Sequence, residues 1–92
     1  MTDHQRNNRR RFIEGAVCAA LEVRPDIVSF FWNGRYLYVS GATSLFWTFT
    51  QLDRLARAMY AIGLDLEGGQ IIAYPDLSLN IIFLDPFKQI EQ

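Results

Sequence analysis

The chain has very little of what most site chemistry is made from: among its 92 residues there is one cysteine, Cys18, and one histidine, His4. A lone cysteine closes no internal disulfide, so the cross-linked frameworks of small secreted domains are excluded and a reducing compartment is favoured, with the cytoplasm as the expected location. A lone histidine leaves no Ser-His-Asp or Cys-His arrangement and no histidine-based metal cluster. No apolar run approaches the roughly 20 residues of a membrane span. The N-terminus is polar and Arg-rich, with no signal-type apolar stretch behind it. No cofactor, metal, membrane partner or small-molecule substrate is therefore expected.

What remains is a globular composition, with half the residues hydrophobic, 14% aromatic and 21% charged. This length buries roughly 60–65% of the unfolded chain's surface, enough for one core and one domain over 1–92. Charge is unevenly spread. Residues 1–11 carry four arginines (Arg6, Arg9, Arg10 and Arg11) against Asp3, a net of +3 in a chain of net −1, so the remainder carries −4. That segment reads as a basic arm or as the first turns of a helix, and a basic arm suits an anionic partner.

Residues Asp3 to Val23 have helical periodicity. Ile13, Ala16, Val17, Ala20 and Leu21 recur along one face, widened by Phe12, Ala19 and Val23. Thr2 with Gln5 makes a capping box, preferred over Asn8 because a cap at Asn8 would put three arginines at the positive end of the helix dipole. Arg6 and Arg10 then share a side, and Arg24-Pro25 ends the helix.

The stretch FFWNGRYLYVS follows, Phe30 to Ser40, with Asn33-Gly34 set between two runs of strand-forming residues. A two-residue turn at Asn33-Gly34 predicts a hairpin in which Trp32 faces Arg35 and Phe31 faces Tyr36. Alternation then sorts the side chains. Val28, Phe30, Trp32, Leu37 and Val39 form an apolar face with Arg35 at the tip, and Ile27, Ser29, Phe31, Tyr36, Tyr38 and Ser40 form a mixed one. Leu45 to Phe49 is either a short third strand or a loop. Thr50 followed by Asp53 predicts the start of a second helix, with Leu52, Leu55, Ala56, Met59 and Ile62 as its apolar stripe, Asp53 and Arg57 paired outside, and Gly63 as its end. Glu67-Gly68-Gly69 reads as a linker into strands at Gln70–Tyr74 and Leu77–Leu84, separated by a turn at Pro75-Asp76.

These elements predict a small α+β domain of order α-β-β-(β)-α-β-β, with a mainly antiparallel sheet of four or five strands and both helices on one face. An antiparallel sheet is free to leave its other face open.

The remaining candidates for chemistry read as structure. Cys18 shares its helix side with Glu14 and Glu22, and two carboxylates disfavour a thiolate, so it is expected to pack at a boundary. Asp65 and Glu67 alternate with Leu64 and Leu66, which reads as acids out and leucines in rather than as an acid–base pair. Gly68-Gly69 has neither the lysine nor the following helix of a phosphate loop. No catalytic residue and no metal ligand is assigned, and the chain is expected not to be an enzyme.

Two binding surfaces are left. The first is the aromatic face of Phe31, Tyr36 and Tyr38, joined by Trp47, which suits a protein partner because such rings combine contact area with few rotamers. The plain alternative is that the 43–49 segment covers this face as a second side of the core. A free edge or aromatic face also suits a homodimer. The second surface is the arginine set Arg6, Arg9, Arg10 and Arg11, suited to nucleic acid, although a pI near 5.7 and few other basic residues weigh against a continuous patch. The expectation is thus a non-catalytic interaction or regulatory module acting on a partner's surface, with nucleic-acid binding through the arginine helix as the alternative. Size class alone, and no residue, suggests the accessory and inhibitor proteins of phages and mobile elements.

Overall fold

The computed structural model describes residues 2–41, 47–69 and 71–87. Helix α1 spans Asp3–Leu21 and starts with the expected capping box: the Gln5 amide N–H donates to Thr2 Oγ1 at 3.1 Å, and the Thr2 N–H donates to Gln5 Oε1 at 2.8 Å. It stops two residues before Val23, because Glu22 takes the left-handed conformation (φ 58°) and the Val23 N–H turns back to the Cys18 carbonyl at 3.0 Å. Ile13, Val17, Cys18 and Leu21 are buried as the periodicity requires. Phe12 and Ala19, expected to widen that face, are exposed. The Arg9 guanidinium lies 5.6 Å from the Phe12 ring.

A single 3-10 turn, Pro25–Ile27, leads into the hairpin of β1 (Ser29–Asn33) and β2 (Tyr36–Ser40). The turn sits one position later than expected. Gly34 alone takes the positive φ, 61°, while Asn33 stays extended and pairs with Tyr36, leaving Gly34-Arg35 as the loop. Glycine at the first loop position is what a II′ turn needs, and it spares Asn33 a left-handed conformation. Phe31 therefore faces Tyr38 rather than Tyr36, and Trp32 faces Leu37 rather than Arg35. Each strand residue has exchanged its partner for one two positions on, so every side chain keeps the face assigned from alternation. At the end of β2, Gly41 has φ 85°, and a Cβ there would lie 2.8 Å from the Ile27 carbonyl oxygen. Glycine is required at this point by both space and conformation.

Of the proposed third strand at Leu45–Phe49, residues 45 and 46 lie outside the described residues, and Phe49 is the first residue of helix α2, Phe49–Ala61. The helix is capped by Thr48 with Gln51, two residues ahead of the Thr50 and Asp53 expected. The longer Gln51 side chain returns a bond to the Thr48 N–H at 2.9 Å, and Asp53 pairs with Arg57 at 2.8 Å. Replacing Thr48 by alanine is expected to cost about 1 kcal/mol and to lower the melting temperature by roughly 4–8 °C. Thr50→Ala should move stability by less than about 0.5 kcal/mol. Thermal unfolding followed by circular dichroism checks both, and equal losses would contradict the placement of the cap.

Beyond α2, Leu64 and Leu66 are buried and Asp65 and Glu67 exposed, the alternation expected of them. Two short strands, β3 (Ile72–Ala73) and β4 (Leu79–Ile82), complete an antiparallel sheet of order β1-β2-β4-β3. Their connection is pinned by Asp76, whose carboxylate accepts from the Ser78 N–H at 3.0 Å and the Ser78 hydroxyl at 2.6 Å. These bonds hold the Asp76 carboxyl below the ordinary aspartate range.

Both helices lie on one face of the sheet. Ile13, Val17 and Leu21 of α1 and Leu55 and Met59 of α2 share one buried cluster with Leu37, Val39, Leu79, Ile81 and Phe83. Trp32 closes the α1 side of this core. Its indole N–H donates to Glu14 Oε2 at 2.8 Å, and its ring stacks on Phe83 at a centroid distance of 5.9 Å. The result is the expected α+β domain, with a four-stranded sheet whose second face carries no helix among the described residues.

Candidate functional site

The face turned away from the helices is built by the pairing register. Phe31 pairs with Tyr38, Tyr38 with Asn80, and Asn80 with Ile72, so one row of side chains crosses all four strands. A second row joins Asn33, Tyr36 and Ile82. The aromatic residues picked out by alternation thus share a surface. The Phe31 and Tyr38 rings lie 6.2 Å apart and tilted by 41°, and the Arg35 guanidinium sits 5.4 Å from the Tyr36 ring. Phe31 is 64% exposed and Ile72 40%. Phe31 and Ile72 stand at the two opposite edges of this face, with Tyr38 and Asn80 between them.

Asn80 is the unusual member. It is only 6% exposed, and its Oδ1 is buried with no hydrogen-bond partner among the described residues. Burying an amide oxygen without a donor costs about 1–3 kcal/mol, and leucines or isoleucines flank it on the strand, so apolar substitutes fit the local composition. Sequence reasoning missed Asn80 and Ile72 because the second hairpin joins the aromatic row only through the β2–β4 register, which pairs residues far apart in the chain and which no local turn signal fixes.

Trp47, grouped with these rings from the sequence, is set elsewhere. It packs against the helix-side core and its indole N–H donates to the Leu77 carbonyl at 2.7 Å. Its contact is with the β3–β4 turn, where Leu77 holds a left-handed φ of 71°. The proposed covering segment, 43–49, lies outside the described residues over 43–46; of its described end Trp47 packs on the core side, while Thr48 and Phe49 are exposed.

The arginine set is partly spoken for. Arg6 and Arg10 do share a side of α1, and both reach the Phe87 ring, at 5.5 and 5.4 Å. Arg10 also lies 5.9 Å from Trp32, and Arg9 Nε donates to the Pro86 carbonyl at 3.2 Å. Cation–π contact with Phe87 ties the start of α1 to the C-terminal segment. Arg9 and Arg10 are half-buried in this joint, while Arg6 and Arg11 are exposed.

No family model, curated protein or solved structure matches the chain. Function therefore has to be argued from its own surfaces.

Cys18 is buried, and burial, with a smaller contribution from the Glu14 carboxylate, pushes its thiol pKa up. A thiol held protonated is a poor nucleophile. His4 is an exposed residue of the first turn, its Nε2 3.2 Å from the Asn8 side-chain nitrogen. Glu67 pairs with Arg35 at 3.2 Å on the surface. Among the described residues no cluster of His, Cys, Asp or Glu is able to hold a metal ion, and no helix is long and apolar enough to cross a membrane.

Proposed function

We propose that this domain is a protein-interaction module and that its open sheet face, centred on Phe31, Tyr38 and Asn80, is the surface that meets the partner. One observation carries the reading. A row of side chains, exposed at Phe31 and Ile72 and half-buried at Tyr38, crosses every strand on the side turned away from the two helices, and in its middle stands a buried amide oxygen with no donor among the described residues. Rings of this type supply most of the energy of protein interfaces, and a partner that displaces what covers Asn80 must bring a donor for its amide oxygen or leave it unpaired. The action is binding rather than catalysis: the domain regulates or inhibits by covering part of another protein, as accessory proteins of mobile elements do. The aromatic face is preferred over the arginine helix because the guanidiniums of Arg6, Arg9 and Arg10 already hold Phe87 and Pro86.

The test is affinity capture in the organism that encodes the protein, with wild-type bait and with a Phe31→Ser/Tyr38→Ser bait, each with and without nuclease. A partner held by the wild type after nuclease treatment and lost from the double variant is the expected result. A partner retained by the variant, or released by nuclease, overturns the reading. Both substitutions lie off the core, so the variant should melt cooperatively, within about 1–2 kcal/mol of the wild type.

A further inference from the structure

Helix α1 is built in two parts. From Ile13 to Leu21 it buries Ile13, Val17, Cys18 and Leu21 in the core, and Glu14 accepts the Trp32 indole N–H. From Asp3 to Phe12, about 15 Å of helix at a rise of about 1.5 Å per residue, every residue is exposed except Arg9 and Arg10, which are half-buried. This first part has no apolar side chain before Phe12, and its four arginines lie toward the positive end of the helix dipole. A helix this short and this little packed does not hold by itself.

What holds it is the segment after β4. Pro86 is buried, its carbonyl accepts from Arg9 Nε at 3.2 Å, and the Phe87 ring lies 5.5 and 5.4 Å from the Arg6 and Arg10 guanidiniums. Phe87 also stands 5.3 Å from the ring of Trp32, which is stacked on Phe83, so Pro86-Phe87 ties three of the four arginines to the core. Just past this part comes Gly15, the one glycine of α1. A Cβ there would meet nothing within 4 Å, so packing does not require glycine, which disfavours the helical state roughly fivefold against alanine.

We propose that Asp3–Phe12 is an openable arm latched by Pro86-Phe87, and that its opening delivers Arg6, Arg9, Arg10 and Arg11 together to the phosphate backbone of a nucleic acid. The composition selects the ligand. With no apolar side chain from Thr2 to Arg11 the arm gives a protein partner nothing to bury, while its guanidiniums and the amides of Asn7 and Asn8 suit phosphate oxygens. In the closed form Arg9 and Arg10 lie against a body whose remaining residues carry −4, and an arm that swings clear leaves that charge behind. The latch is thus an autoinhibitory contact. Contact with all four arginines needs the open form, so the apparent dissociation constant is raised by the inverse of the open fraction. This reading concerns the helix side of the domain and does not rest on the open sheet face.

Two measurements on the purified chain test it. Hydrogen exchange should show the amides of Asn7–Phe12 opening well before those of Val17–Leu21, and Phe87→Ala should speed the first group about tenfold while leaving the second within about twofold. Fluorescence anisotropy with a labelled duplex of about 20 base pairs at low salt reads the binding. Phe87→Ala should tighten it about tenfold, Gly15→Ala should weaken it about fivefold, and Arg9→Glu/Arg10→Glu should abolish it. A duplex held no more tightly by Phe87→Ala than by the wild type, held equally by Gly15→Ala, held still by the double arginine variant, or held by none of them overturns the inference. So does an exchange pattern in which both parts of α1 respond alike to Phe87→Ala.

Discussion

Phe83→Ala is expected to remove about 3–5 kcal/mol of stability, the range for truncating a fully buried phenylalanine. The ring is 0% exposed and stacked on Trp32, and its residue is fastened to the hairpin loop from both sides: its N–H donates to the Arg35 carbonyl at 3.1 Å and its carbonyl accepts from Arg35 Nη1 at 3.1 Å. The backbone bonds persist in the variant, so the site has little freedom to collapse and most of the cavity should remain. Against a total margin of about 5–15 kcal/mol for a domain of this kind, the loss should lower the melting point by on the order of 20 °C. Urea unfolding at equilibrium measures it. Phe83→Leu, which keeps most of the volume, should cost well under half as much, and a loss below about 1 kcal/mol for the alanine variant would show that Trp32 and Phe83 do not share a tightly packed core.

Asn80→Leu is expected to do the reverse to stability and the worst to binding. The buried Oδ1 has no donor among the described residues, so replacing the amide by an apolar side chain of similar size removes a desolvation cost of about 1–3 kcal/mol and lets the new residue pack beside Tyr38 and Ile72, its neighbours in the row. The melting point should rise by several degrees. If Asn80 is kept for a partner's donor, the captured partner should be weakened by about tenfold or more, the size of one specific hydrogen bond at a dry interface. Stability bought at the expense of binding is the mark of a residue retained for function. Asn80→Leu that melts lower than the wild type, or that binds the partner unchanged, would remove Asn80 from the site.

How far these surfaces were legible in the sequence depended on whether a local signal existed. Thr2 and Gln5 lie three residues apart and cap α1 as expected, because a capping box is complete within four residues. For α2 the expected cap was Thr50 followed by Asp53, and the cap is Thr48 with Gln51 at the third helical position. The hairpin was placed on Asn33-Gly34 when the turn uses Gly34-Arg35, yet Phe31, Tyr36 and Tyr38 reached their shared face because a slide of the turn by one residue shifts every pair by two. What could not be read was anything set by distant registers or by the C-terminal segment: Asn80 in the row, Phe87 between Arg6 and Arg10, Trp47 on Leu77. Each joins residues at least thirty positions apart, and no local pattern encodes such a meeting.

The placement of the two tryptophans gives the molecule its own optical gauges. Trp32 sits in the joint between α1 and β1, with its indole N–H on Glu14, and Trp47 sits in the joint between the start of α2 and the β3–β4 turn, with its indole N–H on the Leu77 carbonyl. One ring therefore senses whether the first helix has left the sheet and the other whether the second hairpin has, so a Trp32→Phe protein and a Trp47→Phe protein, followed by emission wavelength, separate the loosening of one half of the domain from that of the other.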